Sequence, residues 1–529
     1  MTRRQVMLVF AGTMLAMLLA ALDQTIVATA LPRIALDLHG VQHYSWVATA
    51  YLVTSTITVP LYGKFSDLYG RRSLFLVSIT IFLAGSALSG LAQSMTQLIA
   101  FRALQGLGAG GILPLAQATI GDLFSARDRG RYAGYTGAVF ASASIIGPLL
   151  GGYLTDSVSW RWIFYINLPL GALALLVIGT RMNLPFQRRE HRIDYLGSAV
   201  LTAAVGSLLM VAVWGGTTYP WASAPIIGLT IAGVLAAAVF VFVERRAEEP
   251  VIPLGLFRDS IFNVTTATAF LLGMSMFGAI FFIPLFMQRV LGVSPTNSGV
   301  VLTPLMLGWV VTSVLAGQLV SRTGRYKIYP MIGSAIAVVG FFLLTRLGVH
   351  SSAADGIVAM VVLGLGMGFV FQIYIVAMQN SIRPSEMGSA TATVQFFRSM
   401  GATFGVAGFG TVFLTRFTAQ LAHRLGPAAR TINATALLNG VGPAHVSAAV
   451  RNDFTQSLTA SLHSVFIGTM VVGVLAGLCS LLLKEKPLRT VSNVSAALSS
   501  EVGPVAAEGA QEAATAAHDR QAASRPARA

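Results

Sequence analysis

The sequence predicts an all-α integral membrane protein with about fourteen transmembrane helices and with both termini on the cytoplasmic side. Of its 529 residues, 55% are hydrophobic and only 10% are charged, whereas soluble domains carry roughly 25% charged residues. Long apolar runs recur along the chain, and basic residues are concentrated in alternate connecting segments. These observations favour lipid, rather than water, as the solvent around most of the chain.

Each predicted transmembrane helix rests on an apolar run, because a helix needs roughly 20 mostly apolar residues to cross a bilayer. The first run is too long for the core of a signal peptide, so it is predicted to be a retained helix. The single cysteine, Cys479, excludes a disulfide framework and a cysteine metal site. The runs lie at residues 6–31, 44–62, 74–92, 97–121, 132–154, 162–180, 195–214, 224–243, 264–288, 299–320, 329–347, 355–378, 390–415 and 463–483.

Basic residues orient the predicted helices, since cytoplasmic loops retain Lys and Arg. Arg3 and Arg4 precede the first helix, and the alternate loops on its starting side carry most of the others, as at 71–72, 188–192 and 322–327. The short loops on the opposite side carry few. The formal net charge of +15 is therefore a topology signal, and no nucleic-acid partner is predicted.

An internal repeat divides the chain. The segment GKFSDLYGR at 63–71 is partly repeated by GQLVSRTGR at 317–325, and GLGAG at 106–110 is matched by GLGMG at 364–368. Repeats related by an axis along the membrane normal are typical of secondary transporters, in which one half moves against the other. Chance similarity between small-residue segments is the simpler alternative, but the matched spacing disfavours it.

The repeat predicts four units along the chain. Residues 1–180 form an N-terminal six-helix bundle, and 181–262 contain an inserted pair of helices with cytoplasmic linkers. Residues 263–485 form a C-terminal six-helix bundle that includes a long outer loop at 416–462. The remaining segment, 486–529, is rich in Ala, Ser, Glu and Arg, and it is predicted to be a disordered cytoplasmic tail.

The loop between the second and third helices, GKFSDLYGRR, contains the most specific local signal. Gly63 and Gly70 allow a tight turn and close helix approach, while Asp67, Arg71 and Arg72 form a charge cluster at the cytoplasmic face. Such a cluster can act as a latch that holds helix ends together in one conformational state and releases them in another. The bias toward basic cytoplasmic loops explains the arginines alone, and it leaves the aspartate and the glycines unexplained.

Ionisable residues within predicted spans are candidate functional sites, because charge is costly inside a membrane. Asp23 lies about 12 Å below the outer end of helix 1, where Pro32 is predicted to end that helix, and Arg102 lies about 8 Å below the same face in helix 4. Pairing with arginine favours the charged form of a carboxyl group and burial disfavours it, so Asp23 is a candidate proton carrier. Alternatively, Arg102 extends to the interface and Asp23 is structural. Arg398 lies near mid-bilayer, and the sequence identifies no acceptor for it.

Helix 5 carries a Gly-Pro motif in its outer half. Pro148 removes a backbone hydrogen bond, and Gly147, Gly151 and Gly152 permit close packing against a neighbouring helix. Together these residues predict a hinge or a seal on the outer side. The alternative is ordinary small-residue packing in a membrane bundle.

A substrate cavity is only weakly indicated. Polar or aromatic side chains on otherwise apolar helices are candidate cavity residues, and the alternative for each of them is a core or lipid-facing position. The candidates are Gln117, Gln372, Tyr374, Gln395 and Phe281.

These motifs closely resemble the major facilitator superfamily, and within it the fourteen-helix drug:proton antiporter branch. The resemblance covers roughly residues 1–485, and the second copy of the loop motif departs from it by having Ser321 where the first copy has Asp67. Any latch should therefore be stronger in the N-terminal half. The matching segments are LDQTIVATALP at 22–32, GKFSDLYGRR at 63–72, FRALQGLGAGG at 101–111, GPLLGG at 147–152, SWRWIFYINLP at 159–169 and FFRSMGATFGVA at 396–407.

The resemblance implies two six-helix bundles related by a pseudo-twofold axis, with two inserted helices, in a multi-pass protein of the bacterial plasma membrane. It implies a monomeric, proton-coupled antiporter that exports small lipophilic molecules, including drugs, antibiotics and cations, by alternating access and without a cofactor. In this family the acidic residue of helix 1 and the arginine of helix 4 are tied to substrate or proton handling, and the helix 5 motif marks exporters.

Other functions remain open. The chain is alternatively a dedicated exporter of an endogenous metabolite, a self-made antibiotic or a lipid, because such a protein would have the same motifs. A membrane enzyme is disfavoured, since no helix carries a histidine pair with metal-ligand spacing, and a receptor is disfavoured by the absence of a sizeable output domain. Lys64 is followed by Phe65 rather than Ser or Thr, so an ATP-binding loop is not predicted.

Overall fold

The computed structural model describes residues 3–39, 43–182, 194–216, 218–292, 301–425 and 448–488. Within these ranges the regular secondary structure is helical, apart from an isolated bridge between Gly215 and Tyr219. The predicted all-α class is therefore confirmed.

The long helices follow one another with short connections, and a single helical turn at Trp162–Tyr165 leads into the sixth. Short 3-10 turns at Leu254–Arg258 and Pro384–Glu386 precede the long helices that begin at Ser260 and Met387. The helices are α1 (Arg3–Asp37), α2 (Tyr44–Tyr69), α3 (Arg71–Leu91), α4 (Met95–Leu123), α5 (Ala126–Ser157), α6 (Asn167–Arg181), α7 (Tyr195–Trp214), α8 (Ala224–Glu244), α9 (Ser260–Arg289), α10 (Thr303–Thr323), α11 (Ile328–Arg346), α12 (Ala353–Ser381), α13 (Met387–Leu425) and α14 (Ala448–Leu481).

Twelve helices in the described ranges are long and apolar enough to cross a membrane, which makes the chain a multi-pass membrane protein. The long helices outside this group are α2 and α13. Lys64 and Asp67 lie near the end of α2, and Arg398 lies in the interior of α13.

Several helix ends differ from the predicted ones. Helix α1 continues past Pro32 to Asp37, so the prediction that this proline ends the helix is wrong. Helix α13 extends to Leu425 and α14 begins at Ala448, so much of the predicted outer loop 416–462 is helical. Ala, Leu, Gln and Arg, which favour helix, are frequent there, and a helix can continue into water beyond the apolar part of its sequence. Residues 426–447 lie outside the described ranges.

The repeated glycine motifs pack in the same way in the two halves. In α4, an added Cβ at Gly106 or Gly110 would meet a backbone carbonyl oxygen of α2, that of Tyr51 or Ser55. In α12, an added Cβ at Gly364 or Gly368 would meet a carbonyl oxygen of α10, that of Leu305 or Trp309. The two copies of the motif therefore hold equivalent helix pairs at close distance, which the repeat requires. (Gly106, Gly110, Gly364 and Gly368 are the glycines of the GLGAG and GLGMG segments.)

Helices α7 and α8 pack on each other and contact α2 near both of its ends. The rings of Trp46 in α2 and Trp214 in α7 lie 5.5 Å apart. Near the other end of α2, Lys64 forms an ion pair with Glu249, which follows α8. Helices α7 and α8 and the segment after them therefore contact the helix that carries the GKFSD motif.

The segment after α14 is fixed against the C-terminal half. Tyr326 accepts a hydrogen bond from the backbone of Lys486 at 2.8 Å, and the Lys486 ammonium pairs with Asp259 at 2.9 Å. Burial opposes ionisation of Asp259, but the bond from Lys486 and two backbone N–H bonds outweigh it and lower the pKa of this carboxyl. The first residues of the predicted tail 486–529 are thus ordered, and its remainder, 489–529, is outside the part of the chain that the structure describes.

Candidate functional site

Asp23 lies at the centre of a buried polar network between α1, α4 and α6. The side chain of Asp23 is fully buried. Arg102 Nη1 donates to Asp23 Oδ2 at 2.7 Å, while Gln105 Nε2 and Asn167 Nδ2 donate to Asp23 Oδ1 at 2.8 and 3.0 Å. The structure therefore brings together the two charges that the sequence places inside the membrane in the N-terminal half, and it adds two amide donors.

Arg102 is directed into the protein. Its side chain is 3% exposed, and its guanidinium lies 4.2 Å from the ring centroid of Tyr51 and 5.9 Å from that of Phe164. Extension to the membrane interface, the alternative considered from the sequence, is not what the structure shows. The ion pair and the aromatic rings instead offset the cost of burying the guanidinium.

The two amides of this network were not predicted. Gln105 lies three residues after Arg102 on the same face of α4, and Gln105 Oε1 accepts a bond from Arg102 Nη1 at 2.7 Å, so helical spacing could have identified it. Asn167 begins α6 and also donates to Ser86 of α3 at 3.0 Å. No local pattern links Asn167 to helix 1, and only the tertiary packing reveals it.

The network is not fully hydrogen-bonded. Arg102 Nε and Asn167 Oδ1 are buried without a hydrogen-bond partner in the described part of the chain. Buried polar atoms are normally paired, so each unpaired atom calls for an explanation. A network that exchanges partners between conformational states would leave such atoms unpaired in one of them.

Asp67 forms a contact between the two halves. Its carboxylate accepts bonds from the backbone N–H groups of Gly388 and Ser389 at 2.9 and 2.7 Å, and from the Ser389 hydroxyl at 2.7 Å. These donors belong to the first turn of α13, where the helix dipole favours a negative charge. Arg71 Nη1 donates to Asp67 at 2.6 Å. The predicted charge cluster thus meets a partner helix in the C-terminal half.

Arg71 connects the Asp67 contact to α4, because Arg71 Nε donates to Asp122 Oδ2 at 2.9 Å. Arg72 instead donates to the carbonyl oxygen of Gly179 in α6, so it ties helices within the N-terminal half. Gly63 lies where α2 crosses α13, and an added Cβ would collide with Ala392. Gly70 has φ 85°, a left-handed conformation that favours glycine.

Other hydrogen bonds between the halves lie toward the same end of the protein. The amide of Gln372 donates to the hydroxyl of Thr136 in α5, and Gln379 Nε2 donates to the backbone oxygen of Gln117 at 3.2 Å. Together with the Asp67 contact, they close the end that carries the GKFSD motif.

The predicted cavity residues do not form one surface. Tyr374 is buried, and its hydroxyl bonds to Ser480 within the C-terminal half, so its position does not support a substrate contact. Phe281 is 62% exposed, whereas Gln395 in α13 is buried. Gln117 and Gln372 take part in the contacts between halves described above.

The helix 5 motif lies against α1. Added Cβ atoms at Gly147 and Gly151 would collide with the hydroxyls of Thr25 and Thr29. The Thr25 hydroxyl donates to the carbonyl oxygen of Ala143 at 2.9 Å, which joins the two helices. Helix α5 continues through Pro148 from Ala126 to Ser157. An added Cβ at Gly152 would meet no atom within 4 Å.

This difference between adjacent glycines gives a matched prediction. We expect Gly151→Ala to reduce transport and to destabilise the protein by about 1–3 kcal/mol, because an extra methyl group in a closely packed interface forces the helices apart. Gly152→Ala should leave both quantities nearly unchanged. Thermal unfolding in detergent and transport in vesicles measure the two effects, and equal behaviour of the two variants would contradict the assigned packing.

Arg398 remains apart from the Asp23 network and from the Asp67 contact. Its guanidinium lies 5.2 Å from the ring centroid of Phe371 in α12. It makes no hydrogen bond and no ion pair in the ranges that the structure describes. Those ranges also contain no group of three or more His, Cys, Asp or Glu side chains that could hold a metal ion.

Repeated helical halves in a membrane, with a buried ion pair in one half and a charged contact between the two, are the architecture of a secondary transporter. The family model of the Major Facilitator Superfamily matches residues 13–406, and the chain belongs to this superfamily. It is therefore a transporter of small molecules rather than an enzyme, as predicted.

Relatives confirm the resemblance to the multidrug efflux members of the superfamily. The multidrug transporter protein MdtP of Bacillus subtilis is 42% identical over 79% of this chain and 77% of that protein. Multidrug resistance protein 3 of the same organism is 37% identical over 92% of this chain and 96% of that protein. Among solved structures, the proton:xylose symporter XylE superposes with a TM-score of 0.63 at 13% identity, over 94% of this chain and 99% of that one. At that identity the likeness shows the fold alone.

Proposed function

We propose that this protein is a proton-coupled antiporter that exports small lipophilic molecules by alternating access. The observation that carries the proposal is the fully buried carboxylate of Asp23, which is held by Arg102 and two amides within the bundle. Intramembrane carboxylates of this kind serve as proton relays in transporters. The multidrug names of the bacterial relatives support export of drug-like molecules.

The proposed coupling begins with a proton that binds Asp23. Neutralising the carboxylate removes its attraction for Arg102, which leaves a buried guanidinium without a counter-charge. Arg102 then has to move or to bind another acceptor, and α4 carries Arg102 near one end and Asp122 near the other. Because Asp122 bonds to Arg71, and Arg71 to Asp67, a shift of α4 alters the contact that closes the bundle.

The wider organisation is part of the same proposal. Helices α2 and α13 complete a set of about fourteen spans, since each packs beside apolar helices of its own half, α4 and α9 respectively. Residues 1–180 and 263–485 then act as moving halves, with 181–262 as the inserted pair and both termini in the cytoplasm. The protein works as a monomer in the plasma membrane, and the end closed by Asp67 is the cytoplasmic one.

Everted membrane vesicles test the function directly. Respiration acidifies their interior, and a pH-sensitive dye reports the gradient while lipophilic cations, neutral antibiotics and lipophilic carboxylates are added in turn. Compound-dependent collapse of the gradient, in vesicles that contain the protein and not in empty ones, is the expected result. Uptake of a compound without proton movement would contradict proton coupling. A response to a single compound would favour a dedicated exporter.

A further inference from the structure

The charges of the membrane interior are unbalanced. Among the Asp, Glu, Lys and Arg residues of the described helices, those inside the predicted membrane spans and away from the span ends are Asp23, Arg102 and Arg398. Asp23 and Arg102 neutralise each other at 2.7 Å. Arg398, eleven residues after the start of α13 at Met387 and so about 16 Å along it, has no acidic partner there. The interior therefore offers an excess positive charge and no unpaired carboxylate.

Two aromatic rings and a guanidinium meet around Arg398. Arg398 is partly exposed, although it lies deep in the bundle. Its guanidinium faces the ring of Phe371, which lies 5.2 Å from the ring of Trp309 in α10. Side chains from α10, α12 and α13 thus converge at one place.

This place lies next to the boundary between the two halves. Gln372, which follows Phe371, bonds to Thr136 of α5 across that boundary. Gln395 lies one turn before Arg398 on the same face of α13, and its amide makes no hydrogen bond in the described part of the chain. A buried amide without a hydrogen bond and a guanidinium without an ion pair in the described ranges therefore lie together on one face of α13, near the position where a transporter of this architecture binds its cargo.

We propose that Arg398 recognises an anionic group of the cargo, and that lipophilic carboxylates or sulfonates are a preferred substrate class of this exporter. The inference rests on the proposed export function and specifies its substrate. Arginine presents a planar fork that matches an acid group with two parallel hydrogen bonds. Phe371 and Trp309 pack against the apolar body of the molecule. A cation would meet like charge at this site and would gain no counter-ion from Asp23, which is already paired.

Three probes with the same apolar body isolate the effect of charge: biphenyl-4-carboxylate, its methyl ester, and biphenyl-4-yl-trimethylammonium. Binding of each to the full-length purified protein is measured by titration calorimetry in lipid nanodiscs, at neutral pH and low salt. We expect the carboxylate to bind about tenfold or more tightly than the ester, as one charge-assisted hydrogen bond provides. The cation should bind most weakly.

Substitutions then test whether Arg398 is the origin of the preference for the carboxylate over the ester. Arg398→Gln should bring the affinities for carboxylate and ester to within about twofold of each other while leaving ester binding intact, which also shows that the variant is folded. Arg398→Lys should keep part of the preference, because lysine retains the charge and loses the fork. Arg346→Gln is the matched control, since Arg346 also lies over a phenylalanine ring, that of Phe342 at 6.0 Å, but at the end of α11.

Equal binding of carboxylate and ester by the wild type would overturn the inference, and so would a preference for the carboxylate that survives in Arg398→Gln. If ester and cation bind under either outcome, export of lipophilic cargo stands and only the assigned substrate class fails. Failure of all three probes to bind also overturns the inference, and the vesicle experiment then decides the export function on its own.

Discussion

Replacing Asp23 with asparagine is expected to abolish cargo-dependent proton movement. Asparagine has nearly the shape of aspartate and can still accept a bond from Gln105 or Asn167, but it does not titrate. In everted vesicles, the pH-sensitive dye should report no more cargo-dependent loss of the pH gradient than in membranes without the protein. Asp23→Glu keeps a titratable group and should retain some of the activity.

The same change leaves Arg102 buried without a counter-charge. Breaking a buried pair in this way typically costs about 3–5 kcal/mol, so Asp23→Asn should lower the thermal stability as well. The double variant Asp23→Asn, Arg102→Gln removes both charges and should recover most of that stability without recovering proton coupling. The comparison separates the contribution of the carboxylate to stability from its role in proton coupling.

Asp37→Asn provides the matched control. Asp37 is also an aspartate of α1, but it is 41% exposed at the helix end, where it contacts Arg33 and Trp160. Its removal should leave proton coupling unchanged. Normal coupling in Asp23→Asn, or a loss of equal size in Asp37→Asn, would contradict the proposed role of Asp23.

Asp67→Asn is expected to open the end of the protein that the structure shows closed. The carboxylate accepts two backbone bonds and one hydroxyl bond from the first turn of α13, and bonds to a charged group contribute about 1.5–3 kcal/mol. Loss of about 1.4 kcal/mol from the closed state shifts the closed-to-open ratio about tenfold. Export should slow, because the protein then returns less readily to the state in which this end is closed.

Electron spin resonance distances measure this shift. Spin labels at Tyr69→Cys and Arg383→Cys, in a Cys479→Ser background, report the separation of the halves at the closed end, since both native side chains are exposed there. The longer distance should gain population in Asp67→Asn. Asp128→Asn is the control, because Asp128 bonds to Ser125 within the N-terminal half. An unchanged distance distribution in Asp67→Asn would contradict a latch at this position.

The sequence identifies the charged residues of the site more readily than the groups to which they bond. Helical rise and membrane orientation place Asp23 and Arg102 at similar depth, and the structure brings them into contact. The loop charge bias does not explain Asp67, so the sequence singles it out. Two of its partners, however, are backbone N–H groups at the start of α13, and side-chain identity gives no signal for such partners. Partners of this kind depend on how the halves dock.

Other discrepancies have a similar origin. Tyr374 was a candidate cavity residue because its type is polar, yet helix rotation turns its hydroxyl toward Ser480 inside the C-terminal half. The fold was more predictable, since apolar runs and glycine repeats determine which helices form and which pairs pack closely. The lengths of α1 and α13 could not be predicted from the sequence, because a helix does not have to end where the membrane ends.

The central claim is that Asp23 exchanges its proton when cargo binds. It is tested by adding a compound that collapses the vesicle gradient to purified protein in weakly buffered detergent solution, and by counting released protons with a pH indicator. The wild type should release up to about one proton per bound molecule, because one intramembrane carboxylate carries one proton. Asp23→Asn should bind the compound and release none. Proton release of equal size from both proteins would contradict the claim.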